Sequence, residues 1–205
     1  SFDNEGQLSP RANMVWKPTR STTLHLGYSR YFAPPSPQYV YPSTLARFAG
    51  TTNAAANTID SATKVEKSHY VDGGILQRIS PDFQITLDAY AKWAHDLTDL
   101  GQFGRAVILA PFSYRRGRVY GAEFGSSWRH GPWSLFGNFS YVKTSARDIN
   151  SAQYQFDPAE LAYIRNHAIQ LDHQGEFTAT AGASWTTKHD MAYADFVYGY
   201  GLRSG

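Results

Sequence analysis

The segment F-Q-I-T-L-D-A-Y-A-K-W, residues 83–93, alternates without a break. Phe83, Ile85, Leu87, Ala89, Ala91 and Trp93 share one parity; Gln84, Thr86, Asp88, Tyr90 and Lys92 share the other. Successive side chains of a strand point to opposite faces, so this is a strand with one apolar and one hydrated face. Ten steps of ~3.3 Å, tilted by ~45°, rise roughly 23 Å, close to the apolar band of a barrel crossing an outer membrane. An apolar-out, polar-in strand of that length predicts a β-barrel in lipid.

Composition points the same way. Aromatic residues make up 15% of the 205 residues, glycine is frequent and strong helix formers are scarce, which favours strands and turns. That length fits one large all-β domain or two smaller ones, and we expect a single partial barrel domain over 1–205. A net charge of +2 with no dense Lys/Arg run argues against a nucleic-acid partner. The absence of cysteine excludes disulfides and Cys-based zinc or redox sites. No run reaches 18 apolar residues, so no transmembrane helix is expected, but a barrel strand needs only alternate apolar positions. The start, S-F-D-N-E-G-Q-L, has no basic stretch followed by an apolar run. A leader already removed and a start inside a longer protein both fit.

Taken in order, the pattern predicts an antiparallel up-and-down meander of about eight long strands. They lie at about 8–16, 22–31, 68–79, 83–95, 119–129, 133–143, 177–185 and 191–200. Short turns fall at 17–20, 80–82, 130–132 and 187–190, each marked by Pro, Gly or a small polar residue. Long connections fall at 32–66, 96–117 and 144–175. Within the last, Asp157-Pro158-Ala159-Glu160 has the form of a helix start, with a capping side chain, Pro first and Glu third, and predicts one or two helical turns. A short extended piece is expected within 164–173.

Short turns on one side and long loops on the other characterise outer-membrane barrels. The tryptophans agree. Trp16, Trp128, Trp133 and Trp185 fall beside short turns, and Trp93 falls at the opposite end of its strand. Tyr28, Tyr31, Tyr141, Tyr198 and Tyr200 gather near long-loop ends. Amphipathic rings prefer the membrane–water boundary, so two aromatic girdles are expected. Counting strand directions puts both ends of the chain on the long-loop side, and the last residues, G-Y-G-L-R-S-G, lack a closing aromatic. Bacterial barrels of even strand number place their ends on the other side, so a segment from within a larger barrel is expected.

Several stretches then carry a family likeness. S-P-R (9–11) through W-K-P-T (16–19), and T-L-H-L-G-Y-S-R-Y-F-A-P-P (23–35), resemble the barrel of TonB-dependent outer-membrane receptors. L-T-D-L-G-Q-F (97–103), R-G-R-V-Y-G-A-E (116–123), L-D-H-Q (171–174) and T-A-T-A-G-A-S (178–184) are similar to members of that family. The resemblance covers nearly the whole chain but only the later part of a family barrel. It implies a barrel of about 22 strands filled by a plug domain, placed in the bacterial outer membrane. Such barrels import ferric siderophores, haem, cobalamin or other scarce solutes, driven by an inner-membrane energising complex. It implies no catalytic motif and no cofactor. This stretch lacks the plug and both barrel ends, so by this reading it does not transport alone. The alternative is a small outer-membrane or soluble ligand-binding β-barrel with a binding or structural role; an outer-membrane enzyme comes a distant third.

Candidate contacts are weighed against plainer roles. Arg115, Arg116 and Arg118 enter the fifth strand and suit an anionic ligand or lipopolysaccharide phosphate; a solvated loop base is the plainer reading. Tyr31, Tyr39 and Tyr41, with Phe32, suit stacking on a planar ligand, or packing within their loop. His167, Asp172 and His173 include metal-ligand types, but two His and one carboxylate without a third fixed partner arise readily by chance, so no metal is assigned. Asp88, Tyr90 and Lys92 face the lumen, where they pair with neighbours or meet a plug. No nucleophile–base spacing or phosphate-binding glycine loop is present.

Overall fold

A computed structural model describes residues 6–34, 46–52, 54, 64–103, 108–171 and 175–201. One antiparallel sheet contains β1 (Arg11–Trp16), β2 (Thr22–Ala33), β3 (Glu66–Arg78), β4 (Phe83–Phe103), β5 (Ile108–His130), β6 (Trp133–Ser151), β7 (Ile169–Gln170), β8 (Phe177–Thr186) and β9 (Met191–Tyr200). The hydrogen-bonded order is β1-β2-β3-β4-β5-β6-β8-β9, and β7 pairs with β6 where β8 has ended. Each long strand pairs with the next in sequence, which is the meander the alternation predicts. β1 and β9 lie at opposite ends of the order and do not pair.

Register turns the parity of residues 83–93 into a property of the whole sheet. One row crosses every long strand through Trp16, Leu24, Ile75, Leu87, Phe124, Phe139, Ala179 and Tyr198. The adjacent row, on the other face, runs from His25 over Gly74, Asp88, Glu123 and Ser140 to Thr178. Among the described residues no second layer covers the apolar row: Trp16 is 59% exposed, Leu87 53% and Phe139 45%. The polar face is crowded instead. A Cβ at Gly121 would lie 2.6 Å from the Tyr141 carbonyl oxygen, whereas one at Gly73, on the apolar face, meets nothing nearer than 3.5 Å. Side chains therefore converge on the polar face and splay on the apolar one, as on the inside and outside of a curved wall.

The short turns are built locally. The Ser80 hydroxyl accepts from the backbone N–H groups of Asp82 (3.3 Å) and Phe83 (3.1 Å), and Thr187 does the same for His189 and Asp190. Between β5 and β6 the two-residue turn needs Gly131 at φ +57°, a conformation that glycine adopts without steric cost. The Asp82 carboxylate and His130 Nδ1, 2.8 Å apart, tie two neighbouring turns together.

Three strands run further than their alternation indicates. β4 continues to Phe103 and β5 starts at Ile108, so the expected connection at 96–117 is mostly paired strand. β6 continues to Ser151, shortening the expected 144–175 connection. Smaller corrections apply at β1, which starts at Arg11 rather than near Leu8; at β2, which reaches Ala33; and at β3, which spans Glu66–Arg78 rather than 68–79. The helix foreseen after Asp157 is α1 (Pro158–Asn166), nine residues long and so about two and a half turns. Asp157 is its N-cap residue, but the carboxylate makes no capping bond.

The extended strands stayed hidden because their parity changes partway. Ala94 and Leu97 on β4, and Ala146 and Ile149 on β6, enter one buried cluster although three positions, not two, separate them. Each pair brackets an aspartate in the left-handed region, Asp96 at φ 56° and Asp148 at φ 62°. Asp is among the few non-glycine residues that adopt this conformation readily. On β5 the corresponding intervening pair is Arg115–Arg116, between buried Tyr114 and Gly117. Beyond this level the inner face becomes apolar. Phe112, Tyr114, Ala152, Tyr154 and Ile164 of α1 complete the cluster, so the buried core sits at the long-loop end and not within the wall.

Candidate functional site

The inner wall presents an aromatic ladder and a polar trough. Tyr31, Tyr70 and Tyr90, on three adjacent strands, meet in sequence: Tyr31–Tyr70 edge-on at 6.2 Å and Tyr70–Tyr90 stacked at 6.0 Å. The Arg11 guanidinium lies 5.4 Å above the Tyr31 ring, a cation–π contact. Nearer the short turns, His25 Nε2 stands between Asp88 Oδ1 at 3.3 Å and Asp72 Oδ2 at 3.6 Å. Gly74 makes this possible. A side chain there would meet His25 Cε1 at 2.6 Å and the Asp88 carboxylate, so its absence lets β2 and β4 reach each other across β3. Lys92 pairs with the nearly buried Glu66 on the same face. A trough of about 390 Å³ follows, lined by Thr86, Asp88, Glu123, Asn138, Thr178 and Thr180. Carboxylates, hydroxyls and an amide offer many acceptors on this face. The wall is suited to holding a polar partner.

The outer face at the long-loop end is basic. The row beyond Trp93 is His95, Arg116 and Arg147, and Arg118 lies beside Trp93 itself. Arg115 differs from its neighbours, because its Nε is 2.9 Å from Asp148 Oδ2. Asn150 donates to Asp96 Oδ1 at 2.7 Å, so both left-handed aspartates are engaged.

The residues singled out from sequence are thereby dispersed. Tyr31 belongs to the inner ladder, which extends through Tyr70, a residue the sequence did not single out. Arg115 is held by Asp148, while Arg116 and Arg118 face outward and are joined by Arg147, also unforeseen. His167 closes α1: its ring stacks on Tyr163 at 4.3 Å, and its Nδ1 lies 3.0 Å from the Tyr163 carbonyl oxygen, to which it donates. Tyr39, Tyr41, Asp172 and His173 lie outside the described residues. Among the described residues, no group of three or more His, Asp or Glu side chains is arranged to hold a metal ion. All five tryptophans lie on the apolar face, with Trp16, Trp128, Trp133 and Trp185 at the short-turn end and Trp93 at the other. Trp133 and Trp185 are direct cross-strand partners.

A single curved sheet, apolar and uncovered on its convex side and polar on its concave side, is the wall of a transmembrane β-barrel. A family model described as "TonB dependent receptor-like, beta-barrel" matches residues 1–204, and the chain belongs to that family. Among solved structures it is similar to the FrpB iron transporter from Neisseria meningitidis (F3-3 variant), with a TM-score of 0.56 and 14% sequence identity. The likeness covers 89% of this chain and 25% of the transporter, so the chain spans about a quarter of that structure's length. At this identity it is a likeness of fold. No curated protein matches the chain.

Proposed function

We propose that these strands form part of the barrel wall of an outer-membrane receptor that takes up a scarce solute, such as a ferric siderophore, and that they do not transport alone. The observation that carries the reading is the uncovered state of both faces. The apolar row, whose Trp16, Leu87, Phe124, Phe139 and Tyr198 are 42–59% exposed, has lipid as its natural solvent. The carboxylate- and hydroxyl-rich inner wall calls for a polar body in the lumen, which in this family is a plug domain. On this reading the five tryptophans form the interfacial girdles and the Tyr31–Tyr70–Tyr90 ladder lines the solute path. Among the described residues the outer edges of β1 and β9 have no partner strand, which favours a wall continued by further strands. A soluble ligand-binding barrel places its apolar face inside, opposite to the curvature found.

The test is accumulation of radiolabelled ferric siderophores by cells that carry the full-length protein or lack its gene. Deletion is expected to abolish accumulation of at least one of them. Dissipating the proton gradient is expected to stop accumulation while leaving surface binding intact. Accumulation that survives both treatments across a panel of chelates would overturn the reading.

A further inference from the structure

We propose that Arg78 and Arg129 anchor an aspartate or glutamate side chain of the plug domain at the short-turn mouth of the lumen. The two arginines line one cleft of about 210 Å³ with Ser80, Asp82, Gln84 and Ser127. Register brings them there. Arg78 is opposite Gln84, and Gln84 is opposite Ser127. Arg129 follows on the same face, its backbone N–H donating to the Asp82 carbonyl oxygen at 2.9 Å. Gln84 has the hydrated parity, so the cleft opens on the inner wall. Among the described residues neither guanidinium has an ion-pair partner. Asp82, the carboxylate in the lining, is already held by His130 at 2.8 Å.

Charge along the wall selects the occupant. Four residues further along β4 from Gln84, roughly 9 Å of height in a tilted wall, stand Asp88 and its cross-strand partner Glu123. Asp72 converges with Asp88 on His25 at the same level. The inner face is therefore acidic at mid-height and basic at its short-turn end. A free anion descending the lumen meets the carboxylates before the arginines and is repelled there. A body that fills the lumen does not, because it can present donors to the trough and an acid below it. Such a body also excludes water from the cleft. Two guanidiniums sealed together then need a counter-charge, since an uncompensated buried charge is strongly destabilising. A carboxylate supplies it through paired, charge-assisted hydrogen bonds. An acid held at this point sets the depth of the plug against the trough above.

This inference rests on the reading that a plug domain fills the lumen. Arg78→Lys and Arg129→Lys, made singly in the full-length protein, each put an amine into the cleft. A water-soluble carbodiimide joins amines to carboxylates in salt contact, and peptide mass spectrometry of the purified protein locates the joins. Both variants are expected to join the same plug carboxylate, while the native Lys92–Glu66 pair reports that coupling has worked. Coupling of Lys92 to Glu66 with no plug carboxylate joined at 78 or 129 overturns the anchor. Joining to Asp82 alone does so equally. Arg78→Gln combined with Arg129→Gln is expected to make protease cleave the plug at least ~10-fold faster, through loss of the charge-assisted bonds. An unchanged rate overturns the anchor as well. Heat-dependent migration in gels confirms that the barrel of each variant is folded. If the anchor fails while siderophore accumulation still depends on the gene, the receptor reading stands without it.

Discussion

Leu87→Arg is expected to lower the folding stability of the full-length protein in bilayers by about 2–4 kcal/mol, the cost of an arginine at mid-depth on the lipid face of a barrel. Leu87 lies in the middle of the row from Trp16 to Tyr198 and is 53% exposed with no protein cover. In water that exposure would make the substitution nearly neutral, since surface changes of this kind usually stay within about 0.5 kcal/mol. The medium decides the outcome. Thr86→Lys, one position away, turns the new charge into the trough beside Asp88 and Glu123 and is expected to cost about 1 kcal/mol or less. Urea titration in lipid vesicles, followed by tryptophan fluorescence, reads both. Equal costs at the two positions would contradict a division into lipid and lumen faces.

Gly121→Val is expected to destabilise the barrel by ~3 kcal/mol or to block its assembly, through overpacking on the concave face. Its Cβ would lie 2.6 Å from both the Tyr141 carbonyl oxygen and the Tyr90 hydroxyl. The ring can be moved but the carbonyl belongs to the ladder between β5 and β6. Adding Tyr90→Ala should therefore recover only part of the loss. The same substitution at Gly73, whose nearest neighbours lie at 3.5 Å on the splayed face, is expected to cost less than 1 kcal/mol. The yield of heat-modifiable folded protein, with urea midpoints where folding succeeds, separates the cases. Equal tolerance at Gly121 and Gly73 would show that the wall does not curve as described.

What was legible in the sequence follows from where the ladder is regular. Pairing across β3, β4 and β5 runs without a shift from Phe83 to His95, and there the parity of single residues gave the faces directly. At Asp96 and Asp148 a left-handed residue changes the parity, and a strand that changes phase reads as a loop. The charged pairs His95–Asp96, Arg115–Arg116 and Arg147–Asp148 mark that level in all three strands and were the available signal. Register between distant segments has no such mark. Arg116 and Arg147 become neighbours only once β5 and β6 are aligned, so the basic row could not be assembled by reading along the chain. Tyr70 escaped notice for a related reason: it precedes Gly73-Gly74 in the least regular strand, and its partners Tyr31 and Tyr90 lie on two others.

The central claim is that alternate residues of 83–93 face lipid and lumen. These 205 residues contain no cysteine, so single cysteines placed at each of these positions, with any cysteine elsewhere in the full-length protein replaced by serine, carry a spin label at a unique site. In bilayers, the account predicts a period of two. Positions 83, 85, 87, 89, 91 and 93 should be relaxed by oxygen dissolved in the lipid and shielded from a water-soluble nickel chelate, with the even positions showing less oxygen access. Uniform accessibility along the segment, or a period near 3.6, would contradict it.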